Sequence, residues 1–448
     1  MAIKTLARFS PGRVIISALA CTILVGALIL ALPVCRTQPI SFLDLLFTTT
    51  SVTCVTGLET VPMSSFTTVG HTVILVLTQI GGLGLITLFI FLVSLFVNLG
   101  FTTQLMAVKI LDLESWHNMR QLMKFIICFT LAVEFIGALS IFTAIHQGHT
   151  TSHALFLSCF HAVTCFCNAG ITLFEGGMQS YNHNYLLLII SSLLIIAGGF
   201  GFLTWHEIFH HLDTRRKKKW HAFSLNAKLV FSGTMILIIV GTIVIYLLEY
   251  QHAYASMGFG QAITNALFQA VSARSAGLLS VNIQTFHLAT LFFILSCAFI
   301  GTAPASTGSG VKITTFAVFL ATIKAAIFGR TEVELKGRSI ANDQLYKSIA
   351  IVSLSIFWIV ASTFIMLIIE QDNGFADLFL EVASAFTTLG ISTGITAGLC
   401  TSSKLLIMLT MIIGRIGSLT LVLALKELRS RKSQPAEFSY PEERVLLS

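Results

Sequence analysis

Apolar residues fall in eight long runs, near Val14–Val34, Thr72–Val97, Gln121–Ile145, Tyr185–Phe209, Lys228–Glu249, His287–Phe328, Ser348–Ile369 and Lys404–Leu425. A helix needs about 20 apolar residues to cross a bilayer, so the pattern predicts eight membrane-spanning helices. The sixth run is interrupted by Gly301-Thr-Ala-Pro-Ala-Ser-Thr-Gly-Ser-Gly310, which predicts a broken span. Between the members of each pair lies a shorter apolar segment: Ile40–Thr53, His153–Cys165, Gly260–Val271 and Phe375–Ala385. These are too short to span and are predicted to enter the membrane and turn back.

Each short segment ends in small polar residues and a glycine: Thr53-Cys-Val-Thr-Gly57, Cys165-Phe-Cys-Asn-Ala-Gly170, Ser272-Ala-Arg-Ser-Ala-Gly277 and Thr387-Thr-Leu-Gly390. The four glycines are 113, 107 and 113 residues apart. So regular a period signals internal duplication. A second mark follows each first one: Gly81-Gly-Leu-Gly84, Gly198-Gly-Phe-Gly201, Thr307-Gly-Ser-Gly310 and Gly414-Arg-Ile-Gly417, with Thr87, Thr204, Thr314 and Thr420 just beyond. The chain therefore divides into repeats at 13–105, 118–215, 225–330 and 345–428, with a tail at 429–448. The predicted fold is an all-α integral membrane protein. It has four M1–P–M2 repeats, comprising eight transmembrane helices and four re-entrant pore helices around a pseudo-fourfold pore.

Composition agrees. Of 448 residues, 55% are hydrophobic and 10% charged, and mean hydropathy is +0.86. Soluble domains carry roughly 25% charged residues, so the surplus apolar surface must face lipid. The net charge of +7 does not mark a nucleic-acid binder, because the basic residues lie between the apolar runs. Of 27 lysines and arginines, 22 sit at the termini or near the repeat junctions; the rest are Arg36, Arg274, Lys312, Lys404 and Arg415. The positive-inside rule then puts both termini in the cytoplasm and brings the short segments in from outside. The N-terminal run is too long for a signal-peptide core and reads as a retained first span. The nine cysteines mostly lie in apolar segments and read as packing residues.

Irregular backbone at membrane depth is tolerated only where it is buried in protein or lines a water-filled cavity. Four short helices entering from outside would aim their C-terminal ends, where the macrodipole favours a cation, at one axis. The stretch behind each can present backbone carbonyls to a dehydrated ion. Glycine suits that place because it accepts dihedrals that a β-carbon penalises. The candidate filter is Thr53, Val55, Thr56 and Gly57; Cys167, Asn168, Ala169 and Gly170; Arg274, Ser275, Ala276 and Gly277; and Thr388, Leu389 and Gly390, with potassium the expected ion. Gly81, Gly84, Gly198 and Gly201 read instead as small residues that let helices approach.

The order M1–P–M2 four times, with TVTGL-, FCNAG-, ARSAG- and TTLG-type loops, resembles the Trk/Ktr/HKT potassium transporter superfamily over residues 13–428. It is most similar to Ktr-type membrane subunits, because the repeats begin almost at the N-terminus. The resemblance implies potassium uptake across a bacterial plasma membrane, stimulated by sodium in many relatives. It further implies a homodimer with one pore per subunit and a cytosolic nucleotide-binding regulatory ring. A glycine at position 57, where plant relatives that prefer sodium have serine, goes with potassium.

Arg415 lies inside an apolar helix, where a charge costs roughly 2.5–3.5 kcal/mol and almost always faces a cavity or a partner. The resemblance assigns it to a gate. The expected gate comprises Arg415 with Gly301, Thr307, Gly308, Ser309, Gly310 and Lys312 of the interrupted span, obstructing the inner pore; a structural or snorkelling arginine is the alternative. Glu134 shows no obvious partner in sequence, and His153 and His161 have no metal-ligand spacing. No nucleophile–base pair or phosphate loop supports an enzyme, and no cofactor is expected. Two other readings remain at this level. One is a sodium- or proton-coupled secondary transporter of a small solute, which the broken span would suit. The other is a membrane anchor for a larger assembly, which would have no use for four loop glycines.

Overall fold

The structure, a computed structural model, describes residues 11–84, 116–148, 150–216, 223–330 and 332–417. Thr87, Thr420, the 429–448 tail and much of the basic junction sequence lie outside the described residues. The described residues are mostly helical. The helices are α1 (Pro11–Leu30), α2 (Phe42–Cys54), α3 (Thr68–Leu83), α4 (Trp116–Ile145), α5 (Thr151–Cys167), α6 (Tyr185–Gly199) and α7 (Phe202–Arg216). They continue with α8 (Leu225–Glu249), α9 (Phe259–Ser272), α10 (Leu288–Ile300), α11 (Ile313–Ile327), α12 (Asn342–Ile369), α13 (Phe375–Thr387) and α14 (Thr401–Ile416). A two-stranded hairpin, β1 (Glu334–Leu335) with β2 (Arg338–Ser339), joins α11 to α12.

The four short segments expected to turn back are α2, α5, α9 and α13, each within two residues of its predicted ends. Their starts follow ordinary capping chemistry. The Ser41 hydroxyl accepts the Asp44 amide at 3.1 Å and donates to the Asp44 carboxylate at 2.7 Å, closing the first turn of α2. Helices α9 and α13 begin after Gly258 and Gly374.

Packing runs in a cycle. Helix α5 lies on α4 and α6 and also on α3; α9 lies on α8 and α6; α13 lies on α12, α14 and α10. Helix α2 lies on α1, α3 and α14, so the last helix returns to the first short one. Outward faces are apolar: Leu28 on α1, Phe135 on α4 and Phe357 on α12 are 62, 65 and 67% exposed. Contiguous exposed apolar surface of this kind needs a partner of like polarity, and lipid is the partner these helices fit.

The sixth span is interrupted between α10 and α11, as the sequence predicts, and the fourth shows a break that the sequence analysis did not foresee. Among the described residues, three helices are long and apolar enough to cross a bilayer unaided, Gln121–Gly148, Leu225–Glu249 and Asn342–Ile369. The run expected as one span over Tyr185–Phe209 is α6 and α7 bent by 94°. The remainders of two other runs, 85–97 and 418–425, lie outside the described residues; helices α3 and α14 end before them, at Leu83 and Ile416. The cause is local: Gly84, Gly201 and Gly417 have φ of +82, +88 and +91°, a region closed to a continuing right-handed helix. Gly84 and Gly201 thus end helices, rather than serving only as the packing residues expected. Gly81 and Gly198 do pack closely: a β-carbon on either would strike the Thr53 or Phe166 carbonyl.

Candidate functional site

Three of the four short helices end in the same backbone motif. The amide of Val55 bonds the Val52 carbonyl at 3.2 Å and that of Thr56 the Ser51 carbonyl at 2.7 Å. Asn168 with Ala169, and Thr388 with Leu389, repeat the pattern onto Cys165 with Thr164 and Ala385 with Ser384. This is the Schellman closure, in which a left-handed residue completes the turn. Glycine normally fills that position, yet here it is Val55, Asn168 and Thr388, at φ of +59, +60 and +50°. In the remaining loop, the third along the chain, Ala273 continues the helix and Ser275 takes the positive φ, +114°. Positive φ on β-branched residues is uncommon and marks sites where surroundings over-determine the backbone.

Two residues later in every loop comes a glycine, also at positive φ: Gly57, Gly170, Gly277 and Gly390. An extended chain turns successive carbonyls to opposite sides, whereas positive φ at alternate residues turns them to one side. The glycines meet in cyclic order. A β-carbon on Gly57 would lie 2.6 Å from the Ala169 oxygen and 3.0 Å from the Gly170 Cα; one on Gly170 would lie 2.8 Å from the Ala276 oxygen. One on Gly277 would strike the Leu389 carbonyl and lie 3.3 Å from the Gly390 Cα; one on Gly390 would strike the Thr56 carbonyl and lie 3.1 Å from the Gly57 Cα. Thr56, Ala169, Ala276 and Leu389 are therefore the carbonyls between which the glycines fit. The Thr53 and Thr56 hydroxyls are buried without a protein partner. Arg274 turns its side chain away, donating from Nη2 to Thr234 on α8 at 3.2 Å.

The segment 301–312 between α10 and α11 lies against these loops. Asn168 Nδ2 donates to Thr307 Oγ1 at 2.6 Å, and Thr307 Oγ1 donates to the Phe166 carbonyl at 2.9 Å. The Ser309 amide donates to Ser275 Oγ at 3.1 Å. Arg415 Nη1 donates to the Thr307 carbonyl at 2.5 Å and to Ser309 Oγ at 3.2 Å, while Nη2 donates to the Gly81 carbonyl. Lys312 turns back to the Gly308 carbonyl at 2.7 Å. Gly301 and Gly310 pack on each other, 3.1 Å from a β-carbon on either to the Cα of the other. Arg415 and Lys312 border a cavity of about 270 Å³ lined also by Gly82, Phe202, Ser306 and Gly308. All the residues expected at the gate are thus in one cluster.

Sequence reasoning missed what anchors that segment. The broken α6–α7 junction supplies it: the Ala303 amide bonds the Gly199 carbonyl, the Thr307 amide the Gly198 carbonyl, and the Phe202 amide the Ala305 carbonyl, at 3.1, 3.2 and 2.8 Å. The available signal was the similarity of Gly198-Gly-Phe-Gly201 to the other glycine marks, read as packing. Glu134, for which no partner was expected, accepts from Gln79 Nε2 at 3.2 Å. His161 lies 3.0 Å from Ser191 Oγ within the protein.

Comparison with known proteins agrees with this architecture. Residues 15–435 match the family model described as "TrkH: Cation transport protein". The chain is 33% identical over 442 residues to the Ktr system potassium uptake protein B of Bacillus subtilis (strain 168), covering 98% of this chain and 97% of that protein. It is 31% identical over 448 residues to the potassium/sodium uptake protein NtpJ of Enterococcus hirae, covering 98% of each. A crystal structure of the potassium transporter TrkH from Vibrio parahaemolyticus superposes with a TM-score of 0.68 at 17% identity, over 88% of this chain and 80% of that one, which bears on the fold alone. These relatives are transporters, not enzymes. Matched over nearly its whole length, and folded like a solved member, this chain belongs to the TrkH cation transport protein family.

Proposed function

We propose that the chain is a potassium uptake subunit in which four M1–P–M2 repeats, with eight crossings in all, surround one axial pore. The observation that carries the reading is the cyclic meeting of Gly57, Gly170, Gly277 and Gly390, with the carbonyls before them crowded between. A dehydrated potassium ion is held by such a ring of backbone oxygens. The helix C-termini behind the ring add a field that favours a cation. The names of the relatives, potassium uptake proteins of the Ktr system and NtpJ, support potassium as the ion.

In this reading residues 301–312, with Arg415 and Lys312, form the gate directly behind the filter. Arg415 ties that segment to the end of α3, and a positive side chain there opposes a cation until the segment moves. The basic junctions support a topology with both termini in the cytoplasm. The likeness to Ktr-type subunits further supports a homodimer, a cytosolic nucleotide-binding ring and activation by sodium. Expression in a bacterium deficient in potassium uptake, grown in low potassium, tests the proposal. Growth rescue and rubidium uptake, measured with and without sodium, are expected. Neither rescue nor uptake from membranes that contain the protein would overturn it.

A further inference from the structure

On the molecular end that holds the N-termini of the short helices, α8 closes with Glu249 and α10 opens after His287. Glu249 is fully buried; its Oε1 accepts the His287 amide at 2.9 Å and the Thr290 hydroxyl. Its second oxygen, Oε2, has no hydrogen-bond partner. That oxygen faces two imidazoles, His287 Nδ1 at 3.3 Å and His252 Nδ1 at 3.5 Å, whose side chains are about half exposed. The ring centroids are 4.1 Å apart, and one ligand atom from each of the three residues lies within 4.8 Å of the others.

We propose that Glu249, His252 and His287 bind a divalent transition metal of the zinc class. Zinc takes imidazole nitrogen and carboxylate oxygen at about 2.0–2.2 Å in a tetrahedron, whose edges are then about 3.3–3.6 Å. The two carboxylate–imidazole separations, 3.3 and 3.5 Å, are edges of that size. A salt bridge alone would align a ring N–H with Oε2, but Oε2 accepts no hydrogen bond. Close approach without a hydrogen bond leaves Oε2 and the two imidazole nitrogens free to share one ion. The half-exposed imidazoles leave the fourth position open to water, and one buried and two accessible ligands give an entry path. Imidazole with carboxylate also selects against magnesium and calcium, which prefer oxygen alone.

The site would tie the end of α8 to the start of α10 across the base of α9. It does not depend on the pore reading; only its assignment to the external face rests on the proposed topology. Binding can be read in purified full-length protein, where sidedness and transport play no part. Titration with Zn²⁺ followed by calorimetry should show one saturable site per chain, with a higher thermal midpoint when zinc is present and no such rise with Mg²⁺. His252→Ala and His287→Ala should each weaken Zn²⁺ binding about tenfold or more while leaving the zinc-free midpoint nearly unchanged. Saturable binding that both variants retain at full strength would place zinc elsewhere and overturn the proposal. So would wild-type protein that takes up no zinc.

Discussion

Gly57 illustrates how one residue carries several constraints. At φ of +94° a side chain costs about 1–2 kcal/mol in backbone strain alone, and a β-carbon would sit 2.6 Å from the Ala169 oxygen. The neighbour is backbone in another loop, itself pinned by the Thr164 carbonyl, so it has little room to yield. Gly57→Ala should therefore reach the membrane but transport poorly, with rubidium uptake lower by about tenfold or more, the effect of 1.4 kcal/mol on a barrier. Uptake equal to wild type, at equal protein in the membrane, would remove Gly57 from the pore. The neighbouring Val55 shows the same logic from the other side. Its positive φ persists without glycine because two backbone hydrogen bonds close the helix around it.

Elements were legible in the sequence where apolar periodicity alone determines them, and obscure where they end. The four short helices appeared within two residues of prediction, because a short apolar run followed by polar residues and glycine has few alternatives. The bend within Tyr185–Phe209 was missed, because Gly201 sits within a run that remains apolar on both sides. Hydropathy carries no sign of φ. The contact of segment 301–312 with the α6–α7 junction was invisible for a related reason: it is made of backbone groups, which every sequence has. Arg415, by contrast, stood out as a charge in an apolar run, and the structure gives it partners in both α3 and the segment. Hydrogen bonds to charged groups contribute about 1.5–3 kcal/mol each. Arg415→Ala should free the segment and raise rubidium uptake several-fold; an unchanged rate would remove Arg415 from the gate. Gly201→Ala acts on the same segment by another route, since its β-carbon would lie 2.6 Å from the Pro304 oxygen at φ of +88°. It should lower stability by about the 1–2 kcal/mol of left-handed strain, read as a lower thermal midpoint, and change uptake together with it.

At the scale of the molecule, the chain must bring distant elements together, because α14 packs on α2 although Cys54 and Thr401 are 347 positions apart. The Gly390–Gly57 contact closes the ring at its centre, and one ion pair closes it near the periphery: Lys404 Nζ lies 3.0 Å from Asp44 Oδ1. Both side chains are largely shielded, 11 and 20% exposed, so screening is weaker than for a surface pair. Burial alone would raise the Asp44 pKa, but hydrogen bonds from Ser41 and Lys404 and the charge of Lys404 outweigh it. The carboxyl is held below its ordinary 3.8. A carboxyl depressed on folding adds stability above its unfolded pKa and loses it as pH falls through the folded value. Lys404→Met should therefore cost about 1–3 kcal/mol at neutral pH, and the gap from wild type should shrink below about pH 4 as Asp44 takes up its proton. Thermal unfolding of both proteins at neutral and acid pH separates the outcomes. A gap that persists unchanged in acid would mean that Lys404 acts through its aliphatic stem, and that the junction of α14 with α2 rests on apolar contacts alone.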